Sequence, residues 1–199
     1  MDFKGIRTYI LDFLANELDE RLTYHSLKHT LDVETAVERY AELESVPELE
    51  TTLLKTGALF HDCGYIFQYT GNEQQSVKHF KSVAHKYNYS EVEILFVERI
   101  IMATASANSP NDIHEKIICD SDHDYLGSDS YHHVAGLLRA ELKMFGYDMS
   151  DLEWLRKQIN YLENHHKYYT DSAINMRLDG KKRNLEEIKT TLKSFNLKE

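Results

Sequence analysis

An all-helical fold follows from three observations on the sequence. Helix breakers are scarce, with two prolines and eight glycines in 199 residues, so few positions interrupt a helix. Apolar residues recur at steps of three and four along most of the chain, the period of an amphipathic helix. No stretch alternates apolar and polar residues for long enough to read as a strand.

The elements can be placed in order. Phe3, Ile6, Ile10, Phe13 and Leu14 share one face of a first helix. Ser26 is suited to cap a second, whose inward stripe is Leu27, Leu31, Val33, Val37, Tyr40 and Ala41. Pro47 opens a third with Leu53, Leu54, Gly57, Ala58 and His61 inside, and Gly64 is placed just beyond its end. A turn at residues 69–72 leads to a fourth helix over 73–87. Ser90 caps a fifth, with Val92, Leu95 and Met102 on one side. The Asn108-Ser109-Pro110-Asn111 loop ends at Asp112, which restarts a helix through Ile113 and Ile117. Further helices are expected over 130–145, 150–166 and 170–195.

Length and composition point to a single domain over residues 1–199. Hydrophobic residues make up 42% of the chain and charged residues 28%, a mixture that builds a core rather than a disordered chain. The formal net charge of −10 argues against long nucleic acid as a partner, because binding its backbone relies on Lys and Arg. A small anionic substrate then needs a metal ion or a local cluster of cations. No run approaches the roughly 18 apolar residues that span a membrane, and residues 1–20 read as neither signal peptide nor anchor. With only Cys63 and Cys119, a reducing, cytoplasmic setting is the expectation.

The informative feature is a set of His and Asp residues where apolar ones are expected. His29 lies on the stripe of Val33 and Val37, and His61 takes the next slot after Leu54 and Gly57/Ala58, with Asp62 beside it. Asp120 and Asp122 follow the apolar run Ile117-Ile118, a costly place for charge unless it is paired or bound to a cation. Imidazole and carboxylate together suit Zn, Mn, Fe or Mg. A lone inward histidine is more often a hydrogen-bonded core residue, and an Asp-x-Asp pair can be a cap with its partner. The joint placement is what points to a metal.

The pattern Tyr24-His25-x-x-x-His29-x-x-x-Val33, then Ala58-x-x-His61-Asp62-x-Gly64-Tyr65, then Asp120-x-Asp122-x-x-x-Leu126-Gly127 resembles the HD superfamily of metal-dependent phosphohydrolases. It is most similar to a bacterial branch of about 200 residues, as is the stretch His166-x-Tyr168-Tyr169-Thr170-x-x-Ala173 with Arg177, Lys181 or Lys182 and Asn184-Leu185. The resemblance implies an HD-type helical bundle with a core over about 22–127 and C-terminal helices over 130–195 packing on it. It also implies His29, His61 and Asp62 as metal ligands. The closing ligand in the family is an aspartate entering a helix after a small residue, which favours Asp122; Asp120 is the second choice, orienting a ligand from behind. One divalent ion is expected rather than two, since His79, His85 and His114 match no ligand motif and Thr104 sits where a further ligand would be. Mn, Mg, Zn, Fe, Co and Ni are not distinguished.

The reaction implied is hydrolysis of a phosphate ester, of a nucleotide for preference, by metal-activated water. Asp62 and Glu73 are the candidate bases, though a first-turn glutamate also suits a helix dipole. His25, Lys78 and Arg177 are the candidate substrate-binding residues, with Arg99 and Lys181 as further cations. His166 reads as a core histidine on the stripe of Leu152, Leu155, Ile159 and Leu162, and Cys63 and Cys119 as buried fillers. The other readings are a non-catalytic module sensing a nucleotide or a metal, and a di-iron oxygenase on the same scaffold. The sequence leaves the oligomeric state and the identity of the substrate open.

Overall fold

A computed structural model describes residues 1–105 and 108–196. Among them there are helices and turns and no strand, and no helix is long and apolar enough to cross a membrane. The chain forms two compact units, Met1–Asp122 and His123–Glu199.

The first unit is built from six α-helices: α1 (Phe3–Glu17), α2 (Leu27–Leu43), α3 (Glu48–Phe60), α4 (Asn72–Ala84), α5 (Glu91–Ala103) and α6 (Ile113–Asp122). Asp2 caps α1 through the Gly5 N–H, and Ser26 caps α2 through the His29 N–H, each satisfying one of the donors a helix start leaves open. Helix α3 is apolar on most sides and packs against α1, α2, α4, α5 and α6. Around it the side chains of Ile6, Ile10, Leu59, Phe60, Phe80, Val97 and Ile101 are excluded from water, each contributing about 1.5–3 kcal/mol.

Three expectations need correction here. Val92 and Leu95 are 77% and 60% exposed, and α5 turns Ile94, Val97, Ile100 and Ile101 inward instead. Two stripes offset by two residues compete on that helix, and the inward one carries the β-branched run that meets α3. The fourth helix ends at Ala84 and passes into a 3-10 turn over His85–Tyr87. Gly64 does not terminate α3 with a left-handed residue; it lies inside a 3-10 turn, Cys63–Ile66. Its missing side chain serves close packing, because a Cβ there would fall 1.8 Å from the Asn72 carbonyl oxygen.

The second unit contains a 3-10 turn, Asp124–Gly127, followed by α7 (Tyr131–Met144), α8 (Asp151–Asn160) and α9 (Asp171–Asn196). Ser150 and Glu153 form a capping box at the start of α8. That helix stops at Asn160 and continues as a π-helical turn, Tyr161–His165, so His166 follows in extended backbone instead of prolonging the stripe of Leu155 and Ile159. Leu126, Tyr131, Trp154, Leu162 and Ile188 make the core. Asn184 holds α9 to the 3-10 turn by donating to the Leu126 and Ser128 carbonyls at 2.9 and 3.1 Å.

Candidate metal centre

Three helices of the first unit converge on one point. His29 stands in the first turn of α2, His61 caps the end of α3, and Asp122 is the last residue of α6. Among the described residues, these three offer donor atoms that all lie within 4.8 Å of one another. His29 Nε2 is 3.1 Å from Asp122 Oδ1, and His61 Nε2 is 3.6 Å from the same oxygen. Asp62 adds Oδ2, 3.0 Å from His61 Nε2 and 3.4 Å from His29 Nε2. Ligands held about 2.0–2.2 Å from one ion stand roughly 3.0–3.5 Å apart, so the spacing is that of donors around a common centre.

Local backbone geometry explains how neighbours on a helix reach one point. His61 keeps helical angles, whereas Asp62 has φ −106° and ψ 0°. The 100° divergence of consecutive helical side chains is therefore relieved at Asp62, before Gly64 is reached. Asp122 leaves the end of a helix, not the start expected for the closing ligand. Asp120 is fully buried two residues earlier, about 200° around the helix from Asp122, and it is not among the converging donors.

The electrostatics favour a cation. Burial disfavours a charged imidazole at His29, yet the Asp122 and Asp62 carboxylates outweigh it and raise its pKa to about 9. His61 is raised well above its ordinary value, burial again being outweighed, first of all by the charge of Asp62. Asp62 is lowered: burial pushes it up, and His61 and His29 pull it further down. Two ionised carboxylates facing two imidazoles attract a proton or a divalent ion to the same place.

One buried atom discriminates between these occupants. The Nδ1–H of His61 donates to the Ala58 carbonyl at 2.7 Å, with the proton placed by that contact. In the neutral ring Nε2 then carries the lone pair; the atom is excluded from solvent and makes no well-formed hydrogen bond, although Asp62 Oδ2 is close. Buried polar atoms are almost always partnered. A histidine fixed by one nitrogen to a carbonyl and presenting the other bare is the arrangement of a metal ligand.

A family model described as HD domain matches residues 26–127. The chain belongs to the HD-domain family. That superfamily is one of metal-dependent phosphohydrolases. Curated proteins and solved structures give no match to the chain.

The other sequence candidates are distributed more widely around this HD centre. His25 precedes α2 and stacks on Tyr65 with ring centroids 4.0 Å apart; its ring is 6.2 Å from that of His29. Glu73 sits half-buried in the first turn of α4 and has no hydrogen-bond or ion-pair partner among the described residues. Lys78 is exposed on α4. Arg177 belongs to the second unit, where its Nε and Nη2 clasp Asp124 at 2.8 and 2.7 Å. Arg99 is paired with Asp112 and Glu115, and Lys181 donates to the His166 carbonyl at 2.6 Å. Of the spare histidines, His79 lies among Tyr9, Phe13, Phe60 and Phe67, His85 pairs with Glu91 and His114 with Glu50.

Sequence reasoning missed Asn72 and Ser76. Asn72 Nδ2 donates to Asp62 Oδ1 at 3.4 Å, and the Ser76 hydroxyl donates to the His61 carbonyl at 2.7 Å while accepting the Gly64 N–H at 2.8 Å. The available signal was Gly64 itself, which requires another backbone pressed against the His61–Asp62 turn.

Proposed function

We propose that this HD protein hydrolyses a phosphate ester of a nucleotide, with one divalent ion held by His29, His61, Asp62 and Asp122. The observation that carries the reading is the bare, buried Nε2 of His61 facing two carboxylates. A divalent ion bound there supplies a Lewis acid that polarises a phosphoryl oxygen and makes water acidic enough to attack near neutral pH.

The chain's own residues do the rest. Asp62, whose carboxylate form is favoured by His61 and His29, is the candidate acceptor of the attacking water's proton. Glu73, at the head of α4, is the alternative acceptor. His25, whose ring lies 6.2 Å from that of His29, is the candidate hydrogen-bond donor to a substrate oxygen. Support for a nucleotide comes from the half-buried rings of His25, Tyr65 and Tyr69, which lie beside the metal centre and outside the apolar core. Such rings offer flat surfaces to a base.

The test is a panel of nucleoside monophosphates and sugar phosphates assayed with Mn, Mg, Co and Ni, alongside metal analysis of the purified protein. Release of phosphate or nucleoside by the wild type, and its loss in Asp62→Ala together with metal content, is the expected result. Phosphatase activity and metal content that both survive Asp62→Ala would overturn the assignment.

A further inference from the structure

Helix α4 contributes no donor to the converging group, yet it touches the His61–Asp62 turn at three places. The Ser76 hydroxyl, wholly buried, bridges the His61 carbonyl and the Gly64 N–H. Asn72, also buried, reaches Asp62 Oδ1 with its side-chain amide. Gly64 has no side chain because the Asn72 carbonyl occupies that space.

The consequence concerns the two oxygens of Asp62. Oδ1 faces the Asn72 amide, and Oδ2 faces the Nε2 atoms of both histidines. A carboxylate on a short side chain turns freely about its last bond unless something distinguishes its oxygens. The Asn72 amide is the group that does so. The Ser76 bridge acts on the backbone: it holds the peptide unit before Asp62 and the one after Cys63, across the point where the chain leaves helical geometry.

We infer that Asn72 and Ser76 are positioning residues that preset metal affinity, Ser76 by fixing the His61–Gly64 backbone and Asn72 by committing Asp62 Oδ2 to the ion. This rests on the metal centre and not on the phosphate-ester reaction. Groups that orient ligands from behind change metal affinity by about 10–100-fold, and a factor in that range is expected here.

The experiment titrates metal-stripped protein with Mn2+ and, separately, Zn2+, following binding by calorimetry and folding by circular dichroism and thermal melts. Asn72→Leu and Asn72→Val both remove the donor and add no charge. Ser76→Ala removes the backbone bridge. At least a tenfold loss of affinity is expected in the Asn72 variants, with the metal-free melting temperature unchanged, whereas Ser76→Ala loses affinity and melts earlier. Asn72→Gln, which keeps the amide donor and adds neither charge nor imidazole, should recover part of the affinity. Affinity within twofold of wild type in either folded Asn72 variant overturns the inference. Wild-type protein that binds neither ion overturns the metal centre itself, whereas wild-type protein that binds metal and hydrolyses nothing leaves this inference standing and sinks only the phosphohydrolase reading.

Discussion

Gly64→Ala would set a methyl group against the backbone of α4 beside the converging donors. The added methyl would lie 1.8 Å from the Asn72 carbonyl oxygen, 2.6 Å from its carbon and 2.9 Å from the Ser76 nitrogen. All three are backbone atoms of α4, so no side chain can rotate away. Relief requires α4 to move by about 1.5 Å from the His61–Asp62 turn, since unstrained carbon contacts begin near 3.5 Å. Overpacking of this kind costs about 1–3 kcal/mol. The move also breaks the two Ser76 hydrogen bonds across that contact, each worth about 1 kcal/mol. A total of about 4 kcal/mol is a large share of the 5–15 kcal/mol that holds a domain folded. Urea unfolding followed by circular dichroism measures it: with a slope of about 2 kcal/mol/M, the midpoint should fall by about 2 M. A midpoint within about 0.5 M of wild type would refute the packing argument, because it would show that the turn and α4 yield to one another cheaply.

Other consequences can be checked in parallel. Gly136 is exposed in α7 and a Cβ there meets nothing within 4 Å, so Gly136→Ala should raise stability by about 0.5–1 kcal/mol in the same urea assay. Glu115 is buried and accepts from Arg99 Nη1 at 2.8 Å and from the Asn111 N–H at 2.7 Å; burial pushes its pKa up, and these partners outweigh it to leave it lowered. Its ionic stabilisation is therefore complete above the unfolded value of about 4.5 and fades as pH falls through the lower folded value. Glu115→Gln should cost about 1–3 kcal/mol at pH 7, and stability curves of the two proteins measured from pH 7 to pH 3 should draw together. Mn2+ at a hundred times its dissociation constant should stabilise the wild type by about 2.7 kcal/mol, raising the melting temperature by about 5–10 °C. A chelator should reverse the shift, and His61→Ala should show none.

Much of the fold was legible because helix period and cap chemistry are local. Asp2, Ser26, Ser90 and Ser150 each accept a hydrogen bond from the first turn of their helices. The sequence reading named Ser26 and Ser90 in that role. The failures came where two local signals tie and a distant surface decides between them. Val92 and Leu95 are as apolar as Ile94 and Val97, and only the packing of α3, α4 and α6 against α5 selects the second pair. Likewise, nothing in residues 150–166 announces that α8 gives way to a π turn at Tyr161, which takes His166 off the stripe it was expected to extend.

The converging donors show the same division at finer scale. His29 and His61 could be read from their faces, since a histidine on a core stripe must find a partner in three dimensions. Asp120 and Asp122 could not be separated by their apolar flank, which both share; the turn of α6 separates them, bringing Asp122 Oδ1 to the histidines and leaving Asp120 in the interior. Asn72 and Ser76 were invisible for a different reason. They touch the site across ten or more residues of sequence, through a backbone carbonyl, a backbone amide and the second oxygen of Asp62, none of which has a residue-type signature. What the sequence did carry was their negative image. A glycine three residues after His61, in a turn with no positive φ to justify it, records that something must come closer there than any side chain permits.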